Sequence, residues 1–426
     1  MRRPGLAREV RVVEPDVIVA PPAAVVAGHQ VDLGWAGSGP RFARYWLAST
    51  ISLYGDWFST VALVVLLYRL SGPAAPAGYM VARVLPRLLS GTVGGSLADR
   101  FQPHRLVAAC ATLQGVLTAS IVPASRIGAV WAVYGAVAIA QGAGGVARPA
   151  IGAMIPRVAP AQRLQRANTL SSLGLSSSIA VGPAIAAPLL AVTGVDALLI
   201  IDALSFAVAA TLMMTLGVDH RDPWTPAMRG VTAGMRAVWG DPDLRAIAAA
   251  WLSSALSVTA ASSVLVLIAG TLGDTDWVGY LYAAVGGGAV LFGSLLLRYQ
   301  PGRTTRDVIL TVAVLEILAL AVLTLHVSLG VSLLVLAISG GTGIVWQTWG
   351  TTDMQVRAHR SFLGRVNAVM VVATSAGMLV GAVLALALVP WAGWEHTLFI
   401  ACCLSLVVLA AGVLLGPQRN EASPER

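Results

Sequence analysis

The sequence predicts an all-α polytopic membrane protein, on the strength of repeated apolar stretches, the placement of arginine between them, and an internal duplication. Hydrophobic residues fill 57% of the 426 positions and charged residues 11%, with a mean hydropathy of +0.77. Soluble domains are far less apolar. About twelve apolar stretches of ~20 residues follow the first forty positions, each long enough to cross ~30 Å of hydrocarbon as a helix. All 28 basic residues other than histidine are Arg. With the N-terminus on one side and connections alternating, 24 of the 28 collect on that side. Only Arg69 and Arg126 fall opposite, and Arg83 and Arg87 lie inside a span. This is the positive-inside asymmetry expected of a multi-pass membrane protein with both termini in the cytoplasm.

The spans are expected at 45–68, 75–98, 105–125, 127–147, 168–192, 197–217, 246–270, 277–298, 307–327, 329–352, 363–389 and 393–416. Longer connections are expected at 148–167, between the tenth and eleventh spans, and at the centre. Five segments result: a disordered cytoplasmic tail at 1–40, whose Pro and mixed charges bound no apolar core; a six-helix bundle at 41–217; a central cytoplasmic loop at 218–245; a second six-helix bundle at 246–416; and a C-terminal tail at 417–426. Within the central loop Met228, Val231, Met235 and Val238 recur at helical spacing opposite Arg229 and Arg236. An amphipathic helix at the interface fits this pattern, as does a solvated linker.

The two halves resemble each other. Gly95-Ser96-Leu97 and Arg100 recur as Gly293-Ser294-Leu295 and Arg298, 198 residues on. Arg166, Asn168 and Gly182 recur as Arg365, Asn367 and Gly381, 199 residues on. Two blocks agreeing on one offset indicate a parallel duplication, the architecture in which two bundles rock about a midplane site.

Composition also excludes. The net charge of +8 belongs to cytoplasmic loops meeting anionic lipid, so no nucleic-acid partner is expected. Without lysine there is neither a P-loop nor a Schiff base. Cys110, Cys402 and Cys403 lie in apolar spans and read as packing residues. No His, Asp or Cys constellation has the spacing of a catalytic or metal site, so no enzyme, cofactor or metal is expected.

Gly95-Ser96-Leu97-Ala98-Asp99-Arg100 resembles the G-x-L-a-D-R loop of the major facilitator superfamily, and the resemblance covers about residues 41–416. Gln102, Pro103 and His104 stand where that loop has Gly and two basic residues. The resemblance implies twelve transmembrane helices in two six-helix bundles. It also implies a conformational latch of Gly95, Asp99 and Arg100, with Arg365 or the start of the eleventh span as partner. Gly174 and Gly182-Pro183 are similar to the antiporter motif, although Ala186 and Ala187 replace its Gly-Gly pair. Gln141-Gly142-Ala143-Gly144 resembles the tail of another antiporter motif, with Ala138 at the position of its intramembrane Arg. Tyr54-Gly55-Asp56-Trp57, Arg83-Val84-Leu85-Pro86-Arg87, Asp202-Ala203-Leu204-Ser205-Phe206 and Gly364-Arg365-Val366-Asn367 resemble the branch holding macrolide efflux pumps and the enterobactin exporter.

Ionisable groups inside a span usually face a cavity or pair with each other. Asp56, Arg83, Arg87 and Glu316 lie well inside and are the proton-coupling candidates. At ~1.5 Å per residue Asp56 and Arg87 both reach ~16 Å depth, with Arg83 a turn further out. Either arginine could hold Asp56, for coupling or as a permanent structural bridge. Glu316 is ~15 Å deep on a span that is peripheral in this superfamily, where a structural or lipid-thinning role competes with coupling. Asp202 reads as a helix-start residue nearer the outer face, bonded to a neighbouring span. The first, fourth, seventh and tenth spans line the cavity in the superfamily. Here they supply Tyr54, Trp57, Gln141, Trp251, Ser254, Ser257, Trp346, Gln347 and Trp349. Aromatic walls with a few amides and hydroxyls suit an amphipathic organic substrate. The expected activity is proton-coupled export of such a compound by a monomer whose partners are substrate, protons and lipid. An importer or uniporter on the same scaffold is the nearest alternative, and a non-transport accessory protein a more distant one.

Overall fold

The computed structural model describes residues 39–159, 164–217, 231–273, 277–296, 305–357 and 363–414. Eleven helices follow in order: α1 Pro40–Ser71, α2 Ala75–Arg100, α3 Pro103–Arg126, α4 Val130–Val158, α5 Leu164–Met214, α6 Val231–Gly240, α7 Pro242–Leu272, α8 Val278–Leu296, α9 Thr305–Val322, α10 Leu329–Arg357 and α11 Leu363–Leu414. No strand occurs among the described residues. The tails expected at 1–40 and 417–426 lie outside the described residues, apart from the start of α1.

Two helices are twice the length of a membrane crossing, and each is broken by one glycine. Gly194 breaks α5 at φ 80°, ψ 176°, and Gly393 breaks α11 at φ 78°, ψ 173°. This backbone region is closed to side chains in practice, so each break is a turn that glycine permits. The passes are therefore 164–193 and 195–214 in α5, and 363–392 and 394–414 in α11. With α1 to α4 and α7 to α10 they make twelve, in two sets of six. Among the described residues, eight helices are long and apolar enough to cross a membrane on length and composition alone. Helix α2 falls short because Arg83, Arg87 and several glycines dilute it, yet it packs along the spanning helix α4. Helix α8 packs likewise along α10.

The packing repeats. Helix α1 lies on α5 as α7 lies on α11, and α2 lies on α4 as α8 lies on α10. Across the halves α5 meets α8 and α11 meets α2. That reciprocal exchange is what a two-fold relation between parallel repeats requires. At the end of the bundle opposite the start of α1 and the end of α11, Arg126 pairs with Asp196 at 2.7 Å and His326 with Glu395 at 3.4 Å. Trp131 and Trp391 stand exposed there, as interfacial aromatics do.

Three local expectations change. The connection expected at 148–167 is helical up to Val158, so Arg148 sits on a helix and not in a loop. Asp202 lies two turns into 195–214 and is buried, so it does not start a helix. Arg245, counted among the loop arginines, is buried and bonds the carbonyls of Trp239 and Gly412 at 2.8 and 3.0 Å. In the central segment α6 buries Val238 while Met235, Arg236 and Trp239 are exposed; Met228 and Arg229 lie outside the described residues. Asp241 starts α7 by accepting from the backbone N–H groups of Asp243 and Leu244, which satisfies two orphan donors of that helix.

Candidate functional site

The candidate side chains on α1 and α2 form a two-rung ladder between these helices. Arg87 Nη2 lies 3.7 Å from Asp56 Oδ2, an ion pair longer than a hydrogen bond. One turn along α2, Arg83 holds its guanidinium carbon 5.9 Å from the centre of the Trp57 indole, within cation–π range. Between the two arginines considered for Asp56, the structure selects Arg87.

Gly55 positions a third acid. A Cβ on Gly55 would overlap the Asp202 carboxyl and the Ser205 hydroxyl, so glycine lets 195–214 close onto α1 here. Ser205 Oγ donates to Asp202 Oδ1 at 3.3 Å. Asp56 and Asp202 share a small void of ≈ 20 Å³ with Ser59, Gln114, Thr118 and Gln141, a volume that admits one water molecule. Asp56 and Arg87 also face a larger cavity of ≈ 270 Å³ inside the first half, which runs from Tyr45 to Asp56 along α1 and is lined by Arg148.

A separate cavity of ≈ 230 Å³ lies between the halves. Trp57, Ile179 and Pro183 line it from the first half; Ser254, Tyr282, Glu316, Trp346 and Gln347 are among its lining from the second. Gly182 serves this wall: a Cβ there would overlap the Trp57 indole. Pro183 sits inside continuous helix and, lacking an N–H, cannot donate to the carbonyl of Ile179 beside it on the wall. Gly174 packs in the same way against Thr50 and Trp46. Together Gly174 and Gly182 bring 164–193 close to α1.

The expected cavity residues divide. Trp57, Ser254, Trp346 and Gln347 line the chamber between the halves. Trp251 is buried behind it, its ring 5.6 Å from that of Trp346. Ser257 is buried and bonded to the carbonyls of Ser253 and Ser254. Trp349 packs against the core, and Tyr54 is half-buried on α1, outside the lining of either cavity. Gln141 belongs with the acids of the first half. Glu316 is buried against the chamber, which corrects the lipid-thinning reading: it faces no lipid. Arg100 is exposed, while the side chains of Asp99 and Arg365 and the surroundings of Gly95 lie outside what is described. Sequence reasoning missed Arg148, Tyr282 and the association of Asp202 with Asp56. Gly55 beside Asp56 was the available signal for the last, since a lone glycine in an apolar span marks close approach. No group of three or more His, Cys, Asp or Glu could hold a metal among the described residues.

The transmembrane secretion effector family matches residues 38–423, nearly the whole chain. The protein belongs to this family of major facilitator transporters. The family member is 29% identical over 392 residues to the multidrug efflux pump Tap of Mycobacterium tuberculosis (strain ATCC 25618 / H37Rv), a match covering 87% of this chain and 91% of Tap. It is 27% identical over 174 residues to the uncharacterized MFS-type transporter YfiS of Bacillus subtilis (strain 168), covering 40% of this chain and 41% of YfiS. Among solved structures, an auto-inhibited POT family peptide transporter superposes with a TM-score of 0.68 at 11% identity, over 91% of this chain and 99% of that one. A bacterial homologue of the human lysosomal transporter Spinster gives 0.63 at 14%, over 88% and 96%. These structures share the fold. The family member is thus a membrane transporter and not an enzyme.

Proposed function

We propose that this transporter is a proton-coupled exporter of amphipathic organic compounds, working by alternating access in a bacterial cytoplasmic membrane with both termini inside. The reading rests on one observation: consecutive residues of α1 face different chambers. Asp56 lines the charged interior of the first half, and Trp57 lines the chamber between the halves. Helix α2 grips both through Arg87 and Arg83. Protonating Asp56 cancels its attraction for Arg87 in a medium of low dielectric, where such terms are large. Because Arg83 lies one turn from Arg87, α2 can pass that change to the indole in the substrate chamber. Each proton or substrate shifts the balance of orientations only by its differential affinity for them. Export is favoured over import by the likeness to Tap, which extends across most of both chains.

Everted membrane vesicles carrying the protein provide the test. Acidifying the interior is expected to drive accumulation of a fluorescent amphiphile such as ethidium, whereas an importer accumulates nothing. Asp56→Asn is expected to abolish the gradient dependence. Full gradient-driven uptake by that variant makes the Asp56–Arg87 pair a structural bridge only.

A further inference from the structure

The cavity inside the first half holds more positive charge than its own walls balance. Its charged lining is Arg87, Arg148 and Asp56, two cations against one acid. Asp202 belongs to the adjoining void, where Ser205 bonds its carboxyl. Arg87 approaches Asp56 only to 3.7 Å. Arg148 lies within electrostatic reach of both, yet no ion pair holds it. Among the described residues neither guanidinium donates a hydrogen bond, although each carries a rigid fork of N–H donors. A further donor joins them. The position of a Cβ on Gly144 is 3.1 Å from Gln114 Nε2 and 3.6 Å from Arg87 Nη2, so an amide and a guanidinium stand together over bare backbone. Ser49 Oγ and Ser171 Oγ are buried on the same walls without an aligned partner.

Donors without acceptors, and cations in excess of acids, are costly in a poorly solvated place. At ≈ 270 Å³ the cavity has room for far more than one water molecule. Arg148 is exposed and also part of the wall, so the cavity is open at that point. Water would supply acceptors but no charge, and a cation would meet two arginines. An anion answers both demands.

We propose that the first half binds a small monovalent anion of the halide class between Arg87 and Arg148, beside Gln114. The water that accompanies it reaches Ser49 and Ser171. A single negative charge balances these walls, whereas a divalent anion would overshoot them. The site is separate from the chamber between the halves and stands whether or not Asp56 carries a coupling proton. Since the anion and the Asp56 carboxylate face the same arginines, each weakens the hold of the other.

Thermal unfolding of the purified full-length protein in detergent reads this site, with chloride replacing gluconate at constant pH and ionic strength. A ligand that binds only the folded state stabilises it according to its occupancy. Chloride is expected to raise the unfolding temperature in a saturable way, and gluconate, bulky and strongly hydrated, is not. Arg148→Gln is expected to weaken the apparent chloride affinity at least about tenfold, the range of a charge-assisted contact, and Arg148→Lys to weaken it less. Asp56→Asn removes the competing carboxylate and is expected to tighten chloride binding by a similar factor, the reverse of what damaged packing would do. No difference between chloride and gluconate in the wild type overturns the proposal. A chloride effect that Arg148→Gln leaves unchanged puts the anion elsewhere and overturns this site. Unaltered or weaker binding by Asp56→Asn overturns the competition for the arginines. The wild-type comparison decides even if a variant fails to fold.

Discussion

Arg83 lies over the Trp57 indole one helical turn from the point where Arg87 meets Asp56. The four residues tie an aromatic wall of the chamber between the halves to a half-buried acid through one face of α2. A double-mutant cycle measures the upper rung. Trp57→Leu and Arg83→Gln are each expected to lower stability in detergent, and their coupling should fall within the ~0.5–2 kcal/mol of a cation–π contact. Additive losses in thermal unfolding would remove the link.

The lower rung behaves differently because it carries opposite charges. Removing one partner strands the other in a poorly solvated place, which costs ~3–5 kcal/mol when the pair is fully buried. Here 28% of the Arg87 side chain and 19% of Asp56 remain accessible through the cavity, so the loss should be smaller. Asp56→Ala and Arg87→Ala are each expected to lower the unfolding temperature more than the double variant does. A double variant that unfolds first would mean the pair is net stabilising.

Close approach, rather than charge, seats α5 on α1. Gly55→Val and Gly182→Val place side-chain atoms where Asp202 and Trp57 already stand. Overpacking of this kind costs ~1–3 kcal/mol. Reduced stability is expected from both, and Gly182→Val should also weaken amphiphile binding by displacing Trp57. Retained affinity in a folded Gly182→Val protein would detach Trp57 from the chamber.

The two hairpin-like breaks invite a comparison of magnitudes. Gly194→Ala and Gly393→Ala force a side chain into a conformation costing ~1–3 kcal/mol. The ion pairs beside them, Arg126–Asp196 and His326–Glu395, are substantially exposed, and exposed pairs are worth ~0–1 kcal/mol. The glycine variants are therefore expected to lower stability more than Asp196→Asn or Glu395→Gln. The reverse order would make the ion pairs, and not the backbone turn, the anchor of each break.

Trp346 closes the chamber from the second half and stacks on Trp251. Trp346→Ala removes an aromatic wall and leaves Trp251 facing the opening. Amphiphile affinity is expected to fall at least about tenfold, since a buried aromatic contributes ~1.5–3 kcal/mol through burial alone. Calorimetric titration reads the change directly, and an unaltered affinity would place the ligand elsewhere.

Much of the architecture was legible in the chain. Span length, the arginine split and the repeat offset led to twelve passes and two related halves. The offset of 199 residues reappears in the paired breaks at Gly194 and Gly393. The depth count brought Asp56 and Arg87 to one level, and they meet there. It could not choose between Arg87 and Arg83, because a single turn of α2 separates them and the rotation of a helix about its axis is invisible to depth.

Length, apolarity and charge order alone determined that this chain crosses the membrane repeatedly, that it is duplicated, and which ionisable groups lie inside. Tertiary packing decided where those groups face. A spanning helix is apolar on its lipid side and on its packed side alike, so no polar period reports its orientation. For that reason Glu316 turned out to face a chamber, Asp202 joined Asp56 across Gly55, and Gln141 went to the acids while Gln347 went to the wall of the chamber between the halves. Only contact between helices could distribute them, because within lipid the sequence pattern is the same on both faces.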